Sequence, residues 1–115
     1  MSCLFDSLNY FIKDNSNNIR EQICNYLQEN KIIIEGLETN VVLEFENTPN
    51  YIEQMRNSST QGGAIEIQVA CNIWNIRVIV KTIDNKYIEF VPISSLFYKT
   101  INLYWTGNHY EPIRV

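Results

Sequence analysis

The feature that most restricts this chain is the order of its hydrophobic periods. Spacings of three and four dominate up to Asn75, and β-branched runs take over from Ile76. Leu4, Phe5, Leu8, Phe11 and Ile12 recur on one helical face, which predicts a helix over 4–13 with Cys3 at its N-terminal edge. Asn15-Ser16-Asn17-Asn18 reads as a loop, and Asn18 followed by Glu21 resembles a capping box. Ile19, Ile23, Tyr26 and Leu27 then place an amphipathic helix over 18–29, with Cys24 beside its apolar face. The stretch 32–46 admits two readings, because Lys31-Ile32-Ile33-Ile34 and Val41-Val42-Leu43 suit either strands or packed helices. Pro49 precedes a short helix at Tyr51-Ile52-Glu53-Gln54-Met55. Gly62-Gly63 is a break, beyond which Ile65, Val69, Ala70, Ile73 and Trp74 mark a further helix ending near Asn75.

From there the pattern changes. Ile76 to Ile83 reads as a strand, Asp84-Asn85-Lys86 as a turn, and Tyr87 to Ile93 as the return strand of a hairpin. Ile101 to Trp105 is a third strand, Gly107-Asn108 a tight turn, and His109 to Val115 a fourth strand. Helices first and strands last predict an α+β domain, its helices packed on a small, largely antiparallel sheet. At 115 residues the whole of 1–115 forms one domain.

Composition narrows the functional classes. Apolar residues make up 45% and charged residues 19%, which is ordinary for a soluble globular protein. The net charge is −4 and the nine Lys and Arg are scattered without a run, so no nucleic-acid partner is expected. No apolar stretch approaches the ~18 residues of a membrane span, and Met1 to Asp6 lacks the form of a secretory signal. Three cysteines, at 3, 24 and 71, form no disulfide framework. Without a Cys-x-x-Cys, and with a single histidine, there is no zinc pattern either. Free thiols in a reducing cytosol, with no metal and no cofactor, are the expectation.

Any imidazole chemistry must use His109. It opens the last expected strand, where Glu111 falls on the same face and is able to orient the ring. Cys3 lies at a helix N-terminus, where the macrodipole and unpaired N–H groups favour a thiolate. Those N–H groups also suit a developing oxyanion. On residue chemistry alone the plainer readings stand beside these. Cys3 is a terminal thiol without a role, His109 a structural or surface imidazole, and Gly62-Gly63 a loop. Cys24 and Cys71, among apolar neighbours, read as small buried hydrophobes.

The order of the motifs adds a resemblance. Cys3-Leu4-Phe5-Asp6-Ser7-Leu8 resembles the nucleophile segment of the ovarian-tumour (OTU) family of papain-like cysteine proteases, whose signature runs Asp-Gly-x-Cys-Leu-Phe. Ile19-Arg20-Glu21-Gln22-Ile23 is similar to that family's next helix. Gly62-Gly63-Ala64-Ile65-Glu66-Ile67 is similar to its Trp-Gly-Gly-x-x-Glu-Leu region, and Asn108-His109-Tyr110-Glu111 to its terminal His-Tyr motif. The four pieces run in the family's order across nearly the whole chain.

The resemblance implies a papain-like fold and hydrolysis of isopeptide bonds at the C-terminus of ubiquitin or a ubiquitin-like modifier. It implies Cys3 as nucleophile and His109 as general base and acid. Glu111 stands where the family usually has Asp or Asn to orient the histidine, with Asn108 as its substitute. Gly62, Gly63 and Tyr110 fall in substrate-binding positions. Two departures accompany it. The family's Asp-Gly falls ahead of Ser2, with Met1 at the Gly position, and Gln61 stands in place of Trp. The first motivates an alternative, an OTU fold that binds ubiquitin or a ubiquitin-like protein while cutting weakly or not at all. A monomer in the cytoplasm is expected, and the chain's economy fits a viral or bacterial effector in a host cytosol.

Overall fold

The computed structural model describes residues 2–114. Helices α1 (Cys3–Ile12) and α2 (Ser16–Gln28) come first. A small two-stranded ribbon, β1 (Ile32–Ile34) with β2 (Leu37–Glu38), leads into α3 (Thr39–Glu46) and α4 (Tyr51–Arg56). After α5 (Ala64–Trp74) come β3 (Ile76–Thr82), β4 (Tyr87–Phe90), β5 (Lys99–Trp105) and β6 (Tyr110–Pro112). The α+β class is as expected.

Helix ends follow local chemistry. Asn15, in extended conformation, caps α2 by accepting from the Asn18 N–H at 2.7 Å. The cap is therefore Asn15, three residues ahead of the expected Asn18, whose own N–H is one of the unpaired donors that a cap satisfies. The ambiguous 32–46 stretch contains both structures. Isoleucines 32 to 34 form a strand, and Val41-Val42-Leu43 lie within α3.

The main sheet has the order β4-β3-β5-β6. Its outer pairings are antiparallel, but β3 and β5 run parallel from Ile76↔Lys99 to Thr82↔Trp105. The sheet is thus antiparallel at both edges and parallel at its centre. The β3–β4 hairpin occupies one edge of β3, and the chain must cross back before β5 can take the other. The return strand ends at Phe90 rather than Ile93, just before Pro92, which has no N–H to give a ladder. The last strand begins at Tyr110, leaving His109 in the turn before it, and Val115 lies outside the described residues.

One face of the sheet forms the core. Ile76, Val78, Val80, Ile101 and Leu103 are buried in strict alternation, and α5 packs over β3. Leu4, Phe5 and Leu8 of α1 join Ile19, Ile23 and Leu27 of α2 in the same cluster. Each such side chain is worth roughly 1.5–3 kcal/mol when fully buried. This packing decides where the site lies, because it presses α1 against β6, the other end of the chain. Among the described residues, no helix is long and apolar enough to cross a membrane.

Candidate active site

Cys3 is the first residue of α1, with Ser2 at the cap position. Leu4 and Phe5 behind it are fully buried, so the helix start is anchored and the thiol stands at the edge of the core. Cys3 is 8% exposed. Its Sγ has two polar partners: it donates to Gln61 Oε1 at 3.2 Å and accepts from the Tyr110 N–H at 3.4 Å. The second contact joins residues 107 positions apart.

The turn from Thr106 to His109 brings the imidazole to the same place. Gly107 takes φ +112°, a conformation open to glycine and strained for other residues. The Thr106 N–H donates to the His109 carbonyl at 3.0 Å, and the Thr106 hydroxyl lies 3.0 Å from Asn108 Oδ1. Cys3 and His109 then line one cleft of about 240 Å³, together with Asp6, Tyr10, Glu111 and Arg114. His109 is exposed and the thiol is not, so solvent reaches the pair from the imidazole side.

The other expected site residues divide into three groups. Glu111 shares the cleft, though among the described residues no hydrogen bond joins it or Asn108 to the His109 ring. The Asn108 carbonyl accepts instead from Gln61 Nε2 at 3.3 Å. Tyr110 supplies its N–H to the thiol, while its ring lies 4.5 Å from that of Trp105, and burial raises its phenol above the ordinary value. Gly62 and Gly63 line a separate pocket with Tyr51 and Glu66. A Cβ on Gly62 would stand 2.7 Å from Leu4 Cδ2 and 2.9 Å from Phe5 Cζ, so that glycine is required by the core behind Cys3. Gly63 has open space around it.

Two side chains acquire their roles only in the fold. Gln61 stands out in the sequence as a departure from tryptophan, with nothing to place it against Cys3. Glu66 is fully buried and accepts from the Gly63 N–H and the Tyr51 hydroxyl, both at 2.7 Å. Burial raises both the Glu66 carboxyl and the Tyr51 phenol above their ordinary values. Burial pushes the Cys24 thiol up to about 11 and the Cys71 thiol up to about 12, away from the range in which a thiolate forms at neutral pH.

With the geometry in place, the likeness to known proteins is decisive. The sequence pattern of the family described as OTU-like cysteine protease matches residues 2–110. The chain belongs to this family. It is 30% identical over 118 residues to the ovarian tumour domain-containing deubiquitinating enzyme 9 of Arabidopsis thaliana, covering 97% of this chain and 32% of that protein. It is 22% identical over 112 residues to ubiquitin thioesterase OTU1 of Drosophila pseudoobscura pseudoobscura, covering 97% of this chain and 31% of that one. A solved OTU domain in complex with ubiquitin shares the fold at a TM-score of 0.77 and 24% identity, over 96% of this chain and 62% of the other. The chain spans about a third of the length of the curated relatives it matches. What it shares with them is the OTU fold, within which the Cys3 and His109 segments meet.

Proposed function

We propose that this OTU domain is a thiol hydrolase acting on ubiquitin or ubiquitin-like conjugates, with Cys3 as nucleophile and His109 as its general base. The observation that carries the reading is the 3.4 Å contact between the Tyr110 N–H and Cys3 Sγ, which holds the residue after His109 against the thiol. In this reaction the Sγ proton passes to a His109 ring nitrogen, and Sγ attacks the carbonyl carbon at the modifier's C-terminus. The N–H groups at the start of α1 are suited to the negative oxygen that forms there. The C–N bond breaks as His109 returns the proton to the departing lysine amine. Water then attacks the thioester, giving a proton to His109 and releasing the carboxylate and the thiol. Glu111 from β6 is the residue we assign to steadying the ring, since it faces the same cleft, whereas the Asn108 oxygen is occupied by Thr106.

The test is reaction with ubiquitin carrying a C-terminal electrophile. The expected outcome is a covalent adduct that disappears in Cys3→Ala and forms about 10²–10⁴-fold more slowly in His109→Ala, the usual worth of a general base. An adduct that survives in Cys3→Ala overturns the assignment. A second reading, recognition of ubiquitin without cleavage, is favoured by the near-complete covering of Cys3 and by the engagement of its one proton with Gln61. Ubiquitin affinity in a titration, with no adduct, selects it.

A further inference from the structure

We infer that Gln61 is a positioning residue whose side-chain amide couples the Cys3 thiol to the His109 turn and turns over when the thiol ionises. The inference rests on the reading of Cys3 as nucleophile. In the resting arrangement Gln61 Oε1 accepts from Cys3 Sγ at 3.2 Å, while Nε2 donates to the Asn108 carbonyl at 3.3 Å. One planar amide thus spans the gap between α1 and the 106–109 turn. Its neighbour Gly62 is wedged against Leu4 and Phe5, so the backbone that carries Gln61 is fixed relative to α1.

This arrangement suits only the neutral thiol. Once the proton leaves Sγ, the sulfur can only accept hydrogen bonds, and an amide oxygen 3.2 Å away faces an anion. Turning the amide about its last side-chain bond exchanges oxygen for NH2 and presents a donor to the sulfur. Ionisation itself ends the S–H donation; the turn then gives up one neutral N–H···O contact and sets Oε1 towards the Asn108 carbonyl, which has to move aside, while the bond gained is charge-assisted, and such bonds are roughly twice as strong as neutral ones. The Tyr110 N–H, which donates to the sulfur at rest, is equally suited to the anion. Gln61 therefore favours the ionised nucleophile, and in turning it releases the Asn108 carbonyl. A tryptophan at this position has a single N–H and no acceptor, so it cannot take both roles.

The experiment reads Cys3 directly and needs no ubiquitin. Folded protein is alkylated with iodoacetamide across pH 5 to 9, and modification of Cys3 is followed by peptide mass; Cys24 and Cys71 are buried and serve as internal controls for folding. Gln61→Met keeps the volume and loses both hydrogen bonds; Gln61→Glu keeps the shape and places an acceptor-only carboxylate beside the sulfur. The expected order of rates at neutral pH is native, then Gln61→Met about 3–10-fold slower, then Gln61→Glu slower by a further factor of about ten. The pH profiles should move upward in the same order, which a merely space-filling side chain would not cause. Superimposable profiles in all three proteins, with Cys24 and Cys71 protected throughout, overturn the role of Gln61 and leave Cys3 as nucleophile intact. If Cys3 is no more reactive than Cys24 and Cys71 in the folded native protein, the nucleophile assignment falls, and with it the role of Gln61.

Discussion

Two polar clusters flank the 61–63 segment, and they are built in opposite ways. On one side Glu66 is wholly buried, and its carboxylate takes the Gly63 N–H and the Tyr51 hydroxyl at 2.7 Å each. On the other side Cys3 Sγ has two sulfur contacts, 3.2 Å to Gln61 and 3.4 Å to Tyr110, weak by the nature of sulfur as donor and acceptor, at the wall of an open cleft. The first cluster is short-bonded and closed because a buried polar group left unpaired costs about 1–3 kcal/mol. The second can be weaker because solvent lies next to it. A reactive group must exchange partners during a reaction, whereas Glu66, with no exposed surface, keeps the partners it has.

Four substitutions sharpen the contrast. Glu66→Ala removes the acceptor of both the Gly63 N–H and the Tyr51 hydroxyl, and we expect a loss of about 1–3 kcal/mol, measured by urea denaturation. A loss under about 1 kcal/mol would mean that the closed cluster is not structural. Glu66→Gln keeps an acceptor and isolates the charge. Burial raises the Glu66 carboxyl above its ordinary value of 4.5, so just above that pH the native state holds a proton that the unfolded chain has released. The group's contribution is therefore fully present below about 4.5 and declines as pH rises through the folded value. Glu66→Gln should flatten that decline in a pH series of unfolding curves, and an unchanged slope would contradict it.

Gly62→Ala comes next. The added methyl meets Leu4 and Phe5 inside 3 Å, and overpacking of this kind costs about 1–3 kcal/mol. Because α1 carries Cys3, the same change should also slow adduct formation; full reactivity with lowered stability would show that core and thiol are uncoupled. Smallest of all, Cys3→Ala should leave stability within about 1 kcal/mol of the native protein while abolishing the adduct, since the two contacts it removes are weak. A larger loss would place Cys3 with Glu66 as a structural group.

Much of the fold was legible in the chain because its elements are local. The apolar spacing of α1, α2 and α5 and the β-branched run of β3 signal themselves within windows of ten residues or so. The errors also have local causes. Asn15 and Asn18 are both good caps, and choosing between them depends on which residue is extended. Gly107-Asn108 resembles a complete two-residue turn, which puts His109 in a strand by sequence; in the structure the turn extends through His109, held by Thr106. The 32–46 stretch is ambiguous because runs of three apolar residues carry no period.

What the sequence determined by itself is the class of structure, the single histidine on which any imidazole chemistry must depend, and, through four motifs in series, the family. These follow from residue identity and short-range spacing. Only the tertiary structure decided which groups meet. The parallel pairing of β3 with β5, the packing of α1 on β6 and the Cys3–Tyr110 contact across 107 residues all come from burying one shared apolar face. Gln61 is the clearest case: its side chain bridges 58 residues to Cys3 and 47 to Asn108. No local pattern encodes such a contact, because it is a consequence of where the core places the backbone.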